Sequence, residues 1–81
     1  MTRPGPAAAG AVVAIGARRD VGALTLAGAE VRLADTPDEV RGAWSALGPG
    51  VALVILGPAA AATLGDLVDA LDAPLTAVMP R

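Results

Sequence analysis

Few side chains in this sequence can do chemistry, and their spacing says what they are suited to. Arg18 and Arg19 are adjacent in Gly16-Ala17-Arg18-Arg19-Asp20, just ahead of a helical pattern. Guanidinium groups before a helix N-terminus can hold an anion. A nucleotide site needs more: no G-x-G-x-x-G is present, nor the acid that follows it in that fingerprint. The two arginines therefore read as solvated, or as salt-bridged to a partner. Asp66, Asp69 and Asp72 recur every three residues. On one helix that spacing gives a solvated acidic face, turned away from Leu64, Leu67 and Leu71. Asp69 and Asp72 fall near the end of that helix, where negative charge costs about 0.3–1 kcal/mol, and a partner's arginine would offset it.

What is missing excludes most catalysis. The chain has no His, Cys or Tyr, and all six of its cations are Arg. It lacks an imidazole base, a thiolate nucleophile, a Schiff-base amine and a P-loop lysine. Ser45 is the single serine, with Thr2, Thr25, Thr36, Thr63 and Thr76 the other hydroxyls. The expectation is a protein that is not an enzyme and binds no cofactor. Trp44 is the sole aromatic residue, and it shares a helical stripe with Val40 and Leu47, which makes it a core side chain before a stacking platform. With a net charge of −2, the chain also has no electrostatic claim on nucleic acid. Lack of cysteine removes disulfides and thiolate metal sites and fits a cytosolic setting.

These residues must be positioned by a chain of only 81 residues, 54% of them hydrophobic. That is one small domain, with about 60% of its unfolded surface buried at best. The segment from Gly42 to Gly65 carries no charge and is long enough to cross a bilayer. Gly48-Pro49-Gly50 and Gly57-Pro58 break it twice, however, so its dense core, Val51 to Leu56, has the length of a strand. Arg3 followed by Ala7 to Ala17 also fails as a signal peptide, because Gly10 and Gly16 interrupt a stretch without leucine.

The pattern along the chain alternates strand and helix. Residues 1–9 are rich in Pro and Gly and read as a flexible leader to a domain over 10–81. Ala11 to Ile15 is a continuous small and branched apolar run that ends at Gly16, suited to a central parallel strand. Asp20 is expected to cap a short helix that runs to about Ala27 and closes at Gly28. Glu30 to Ala34 alternates polar and apolar, as an edge strand does. Thr36-Pro37-Asp38-Glu39 is a capping box that opens a helix with Val40, Trp44 and Leu47 on one stripe, halted at Gly48-Pro49-Gly50. Val51 to Leu56 is a second buried strand. Pro58 starts a third helix, with Leu64, Leu67, Val68 and Leu71 on its apolar face, ending at Asp72-Ala73-Pro74. Leu75 to Met79 is the last strand.

The sum is β-α-β-α-β-α-β, which calls for a parallel sheet with right-handed crossovers. With the two all-apolar runs in the middle, the order is 2-1-3-4, an α/β flavodoxin-like (Rossmann-like) arrangement. A phosphorylated receiver domain has this topology but needs an aspartate at the end of strand 3 and a later lysine; strand 3 here ends Leu56-Gly57-Pro58. No helix follows the last strand in the sequence. One face of the sheet is therefore expected to be covered only by the short first helix, with apolar surface left on strands 3 and 4 for a partner.

Several segments taken in order resemble the F-subunit family of V-type and A-type rotary ATPases. They are Val13-Ala14-Ile15-Gly16, Leu26-Ala27-Gly28-Ala29-Glu30-Val31, Thr36-Pro37-Asp38-Glu39-Val40, Val54-Ile55-Leu56 and Pro74 to Pro80, so the likeness spans Ala11 to Pro80. The resemblance implies a non-catalytic component of the central stalk. It would bind the coiled-coil rotor component, the D-subunit, and turn with it inside the A/B catalytic ring. In that way it would help couple ATP turnover to proton or sodium transport. Such a component is cytoplasmic, peripheral to the membrane in the soluble V1/A1 sector, and not inserted in it. The expected docking surface is the uncovered sheet face, including Val78 on strand 4, with Arg18, Arg19 and Glu30 as polar contacts and Asp69 and Asp72 facing a partner's arginine.

Overall fold

The structure, a computed structural model, describes residues 10–70 and 72–80. The leader over 1–9 and the expected core role of Leu71 lie outside the described residues. Four strands, β1 (Ala11–Gly16), β2 (Glu30–Leu33), β3 (Val51–Leu56) and β4 (Leu75–Val78), form one sheet in the order β2-β1-β3-β4. Every pairing is parallel, so the flavodoxin-like α/β arrangement expected from the alternation of elements is the one found. The helices are α1 (Arg18–Val21), α2 (Pro37–Ser45) and α3 (Pro58–Leu64).

Register decides which side chains face which layer. Val13, Ile15, Val54 and Leu56 are buried in one cluster with Val40 of α2 and with Ala60 and Leu64 of α3. A shift between Ala11 and Val12 pairs Ala11 with Val51 but Val12 with Leu53. The extra residue in β3 lets Val51 pack against the same cluster as Val54, although three positions separate them. From Val12 onward the pairs are Val12 with Leu53 and Ala14 with Ile55, and further along β3 Leu53 pairs with Leu75 and Ile55 with Ala77. These residues share the opposite face.

Local chemistry accounts for the helix ends. The capping box at α2 is complete: the Glu39 N–H donates to Thr36 Oγ1 at 3.2 Å, and Glu39 Oε1 accepts from the Thr36 N–H at 3.1 Å and the Asp35 N–H at 2.9 Å. The backbone N–H of Asp35, then that of Thr36, hold the Glu39 carboxyl below its usual value of 4.5. Asp20, in contrast, is not the N-cap of α1. Ala17 is the cap and makes no side-chain bond; its carbonyl accepts from the N–H groups of Asp20 and Val21 at 2.9 and 3.0 Å. The turn is already closed by backbone, and the Asp20 side chain instead packs beside Gly57, where an added Cβ would lie 3.3 Å from Asp20 Cβ.

After Val21 the chain continues as a 3₁₀ turn over Gly22–Ala27 and closes at Gly28 with φ +90°. The third helix also differs from expectation. It ends at Leu64, Gly65 takes φ +52°, and a 3₁₀ turn follows over Gly65–Asp69. A glycine adopts that left-handed conformation without the steric cost a side chain brings. Asp66, Asp69 and Asp72 are thereby split between a 3₁₀ turn and the loop after it. They do not share an α-helical face, and the unfavourable dipole expected at Asp69 and Asp72 is removed because no α-helix ends there.

Candidate functional site

The sheet has two unlike faces. Helices α2 and α3 cover one of them over the buried cluster. On the other, α1 and its 3₁₀ extension pack against β1 and β2, with Val21 fully buried close to Gly16. The β3 and β4 part of this face carries Leu53, Ile55, Leu75 and Ala77, continued by Val12 of β1. Leu53 and Ile55 are half-buried, Ala77 is exposed, and Leu75 is 73% exposed. None of these five side chains has a polar atom. A contiguous apolar floor open to solvent is the expected character of a partner surface.

Its shape follows from the chain. Leu53 to Ile55 lies in the fully apolar run Val51 to Leu56, which is buried on both faces only where helices cover both. On β4 the register puts Leu75 and Ala77 on the open face. It pairs Val78 with the buried Leu56 and Thr76 with Val54, so those two belong to the face of α2 and α3. The expectation that Val78 lies on the open face is therefore corrected: it is 54% exposed, but on the helix-covered side of the edge strand.

The other expected contacts are dispersed. Arg18 and Arg19 are exposed and make no ion pair among the described residues. They line a crevice of about 460 Å³ at the carboxyl ends of the strands, with Ala34, Thr36, Ala60 and Thr63 and with the opposite charges of Asp20 and Asp35. This is where the strand order reverses. The β1 and β3 loops that carry these residues approach closely: the Gly57 N–H donates to Ile15 O at 3.0 Å, and a Cβ on Gly16 would stand 3.2 Å from Gly57 N. Glu30 lies on the far edge strand and accepts from Arg32 Nε at 2.7 Å. It pairs with Val13 in register, so it too sits on the helix-covered side. Asp69 and Asp72 lie toward the amino ends of the strands, away from the arginines. The structure brings Arg18 and Arg19 to one place and leaves Glu30, Val78 and the aspartates apart.

Leu53, Ile55, Leu75 and Val12 carry no individual signal in the sequence. A run such as Val-Ala-Leu-Val-Ile-Leu has no polar alternation to show which residues face which way, and the extra residue in β3 shifts the parity inside it. Trp44 packs against the core cluster as its stripe suggests, and it also lines a groove at the opposite end of the molecule from the arginines. Among the described residues no helix is long and apolar enough to cross a membrane. Compared with models of protein families, with curated proteins and with solved structures, the chain matches none.

Proposed function

We propose that this chain is a non-catalytic docking protein, and specifically a central-stalk component of a V-type or A-type rotary ATPase that binds the coiled-coil part of the rotor. The carrying observation is the uncovered apolar floor of Leu53, Ile55, Leu75 and Val12 on a sheet whose other face is packed. A doubly wound sheet needs a helical layer on each face, and a helix of the coiled coil supplies the missing one. The resemblance over Ala11 to Pro80 names that coiled coil. In this role the chain carries no reacting group; it stiffens the rotor and turns with it while ions cross the membrane sector.

Co-expression with the coiled-coil rotor protein of the same organism, read by size-exclusion chromatography, tests the reading. A stoichiometric complex is expected, lost in Leu75→Asp and retained in Val78→Asp, because only the first puts a charge on the open face. A clean monomer that ignores the rotor protein, or an undiminished complex with Leu75→Asp, overturns it. The crevice at Arg18 and Arg19 favours a second reading, a free-standing flavodoxin-like binding or signalling module. That reading predicts a monomer whose melting temperature rises with a small anionic ligand.

A further inference from the structure

The two edges of the sheet are built differently. β2 carries Glu30 and Arg32, joined at 2.7 Å, and charge along an edge discourages another strand from pairing there. β4 reads Leu75-Thr76-Ala77-Val78, without a charge, and among the described residues no strand pairs with its outer side. Leu75 and Val78, on opposite faces of this strand, are 73% and 54% exposed.

Register fixes which backbone groups that edge presents. Val78 pairs with Leu56, and the Met79 N–H donates to Leu56 O at 2.8 Å. Bonding alternates along a parallel strand, so Ala77 and Met79 turn toward β3, while Thr76 and Val78 turn their N–H and C=O groups outward. Pro74 and Pro80 bracket them and have no N–H, and the Pro74 carbonyl already accepts from Thr76 Oγ1 at 2.9 Å. The open edge is thus two residues, each with a donor and an acceptor, set symmetrically about Ala77.

Such an edge is complementary to itself. We propose that β4 pairs with β4 of a second copy of this chain, antiparallel, about a two-fold axis through Ala77. In that register Thr76 and Val78 of each copy exchange both bonds with Val78 and Thr76 of the other, four bonds in all. No outward N–H is left over, because the same register sets Pro74 opposite Pro80. Ala77 meets its counterpart as the close, non-bonded pair, where Cα atoms stand about 4.5 Å apart and a small side chain fits. With no charge on β4, two-fold pairing sets no like charges opposite one another. The axis is perpendicular to the sheet, so Val12, Leu53 and Ile55 stay uncovered, and the pairing is independent of the rotor reading. A contact along one four-residue edge falls under the ~1,200 Å² of a standard interface. The dimer is accordingly weak, with a Kd on the order of 100 μM.

Sedimentation of the full chain from about one-tenth to ten times that Kd tests the pairing. The wild type is expected to double in mass across this range. Val78→Pro removes an outward donor but no bond to β3, so it should keep its circular dichroism and stay monomeric. Val12→Asp charges the open face two strands away and should still dimerise. The chain has no cysteine, so Ala77→Cys and Val78→Cys add single exposed thiols that report register. Only position 77 faces its own counterpart at a spacing a disulfide takes, so oxidation should cross-link Ala77→Cys far faster than Val78→Cys. A wild type that stays monomeric overturns the proposal. So does loss of the dimer in Val12→Asp with retention in Val78→Pro, which would place the contact on the open face. Equal cross-linking of the two cysteine variants overturns it as well, whether or not Val78→Pro folds.

Discussion

The two faces of the sheet make unequal demands on the same residue type, and leucine tests this directly. Leu56 is fully buried among Val13, Ile15, Val40 and Leu64, whereas Leu75 on the adjacent strand is 73% exposed. Truncating Leu56 to Ala removes the transfer free energy of the lost carbons and leaves a cavity, together about 2–5 kcal/mol. For Leu75 only the remaining 27% of the side chain's exposable surface (100 minus 73) is removed from water in the isolated chain. About a quarter of a full burial of ~1.5–3 kcal/mol is below 1 kcal/mol. In a domain of this size 1 kcal/mol corresponds to about 4–8 °C in Tm. Leu56→Ala should therefore melt at least ~8 °C below the wild type, and Leu75→Ala within a few degrees of it, as followed by circular dichroism. Urea unfolding at 25 °C should rank the two the same way, without a change in slope. Comparable losses for the two variants would refute the assignment of an uncovered β4 face. On the proposed docking to the rotor protein, the complex should bring the two losses closer together, since that docking would bury Leu75.

Two further outcomes follow from the helix ends. Thr36→Ala should cost about 1 kcal/mol by breaking the capping box. Because Glu39 is held below its ordinary value, its contribution is present above the unfolded value of 4.5 and is lost as pH falls through the folded one. Urea midpoints measured from pH 7 downward should show that acid-side loss in the wild type and a flatter curve in Glu39→Gln, which removes the titrating carboxyl that the Asp35 and Thr36 N–H groups hold down; parallel curves for the two would dismiss Glu39 as a source of stability. Gly65→Ala should cost about 1–2 kcal/mol, a purely backbone penalty, since a Cβ at φ +52° meets nothing within 4 Å. A neutral or stabilising result there would show that the third helix runs through Gly65 unbroken.

How much was legible depends on whether the signal was local. The capping box is four consecutive residues whose side chains bond to their own backbone, and it appears as the spacing requires. Gly28 ends the first helical segment because αL geometry selects glycine wherever it occurs. Asp20 failed as a cap for the converse reason: capping residues are enriched as a class, yet here the turn starts three residues earlier, with its first bonds made to the Ala17 carbonyl. The break at Gly65 was hidden because an isolated glycine inside an apolar helical pattern is tolerated as often as it interrupts.

The parallel four-stranded sheet and its order follow from the residues alone, since the alternation of apolar runs with helical periods admits few other layers and the most apolar runs must lie in the middle. So does the shortage of helix on one sheet face, because only the first crossover lies on that side. Which side chains make the open face is a matter of tertiary pairing. Parity along an all-apolar strand is set by its partners in register, and the extra residue in β3 turns Val51 inward while Leu53 and Ile55 look the other way. The same dependence moved Val78 to the covered side and left Leu75 exposed. Strand position is a property of composition, but the direction of a side chain belongs to the pairing.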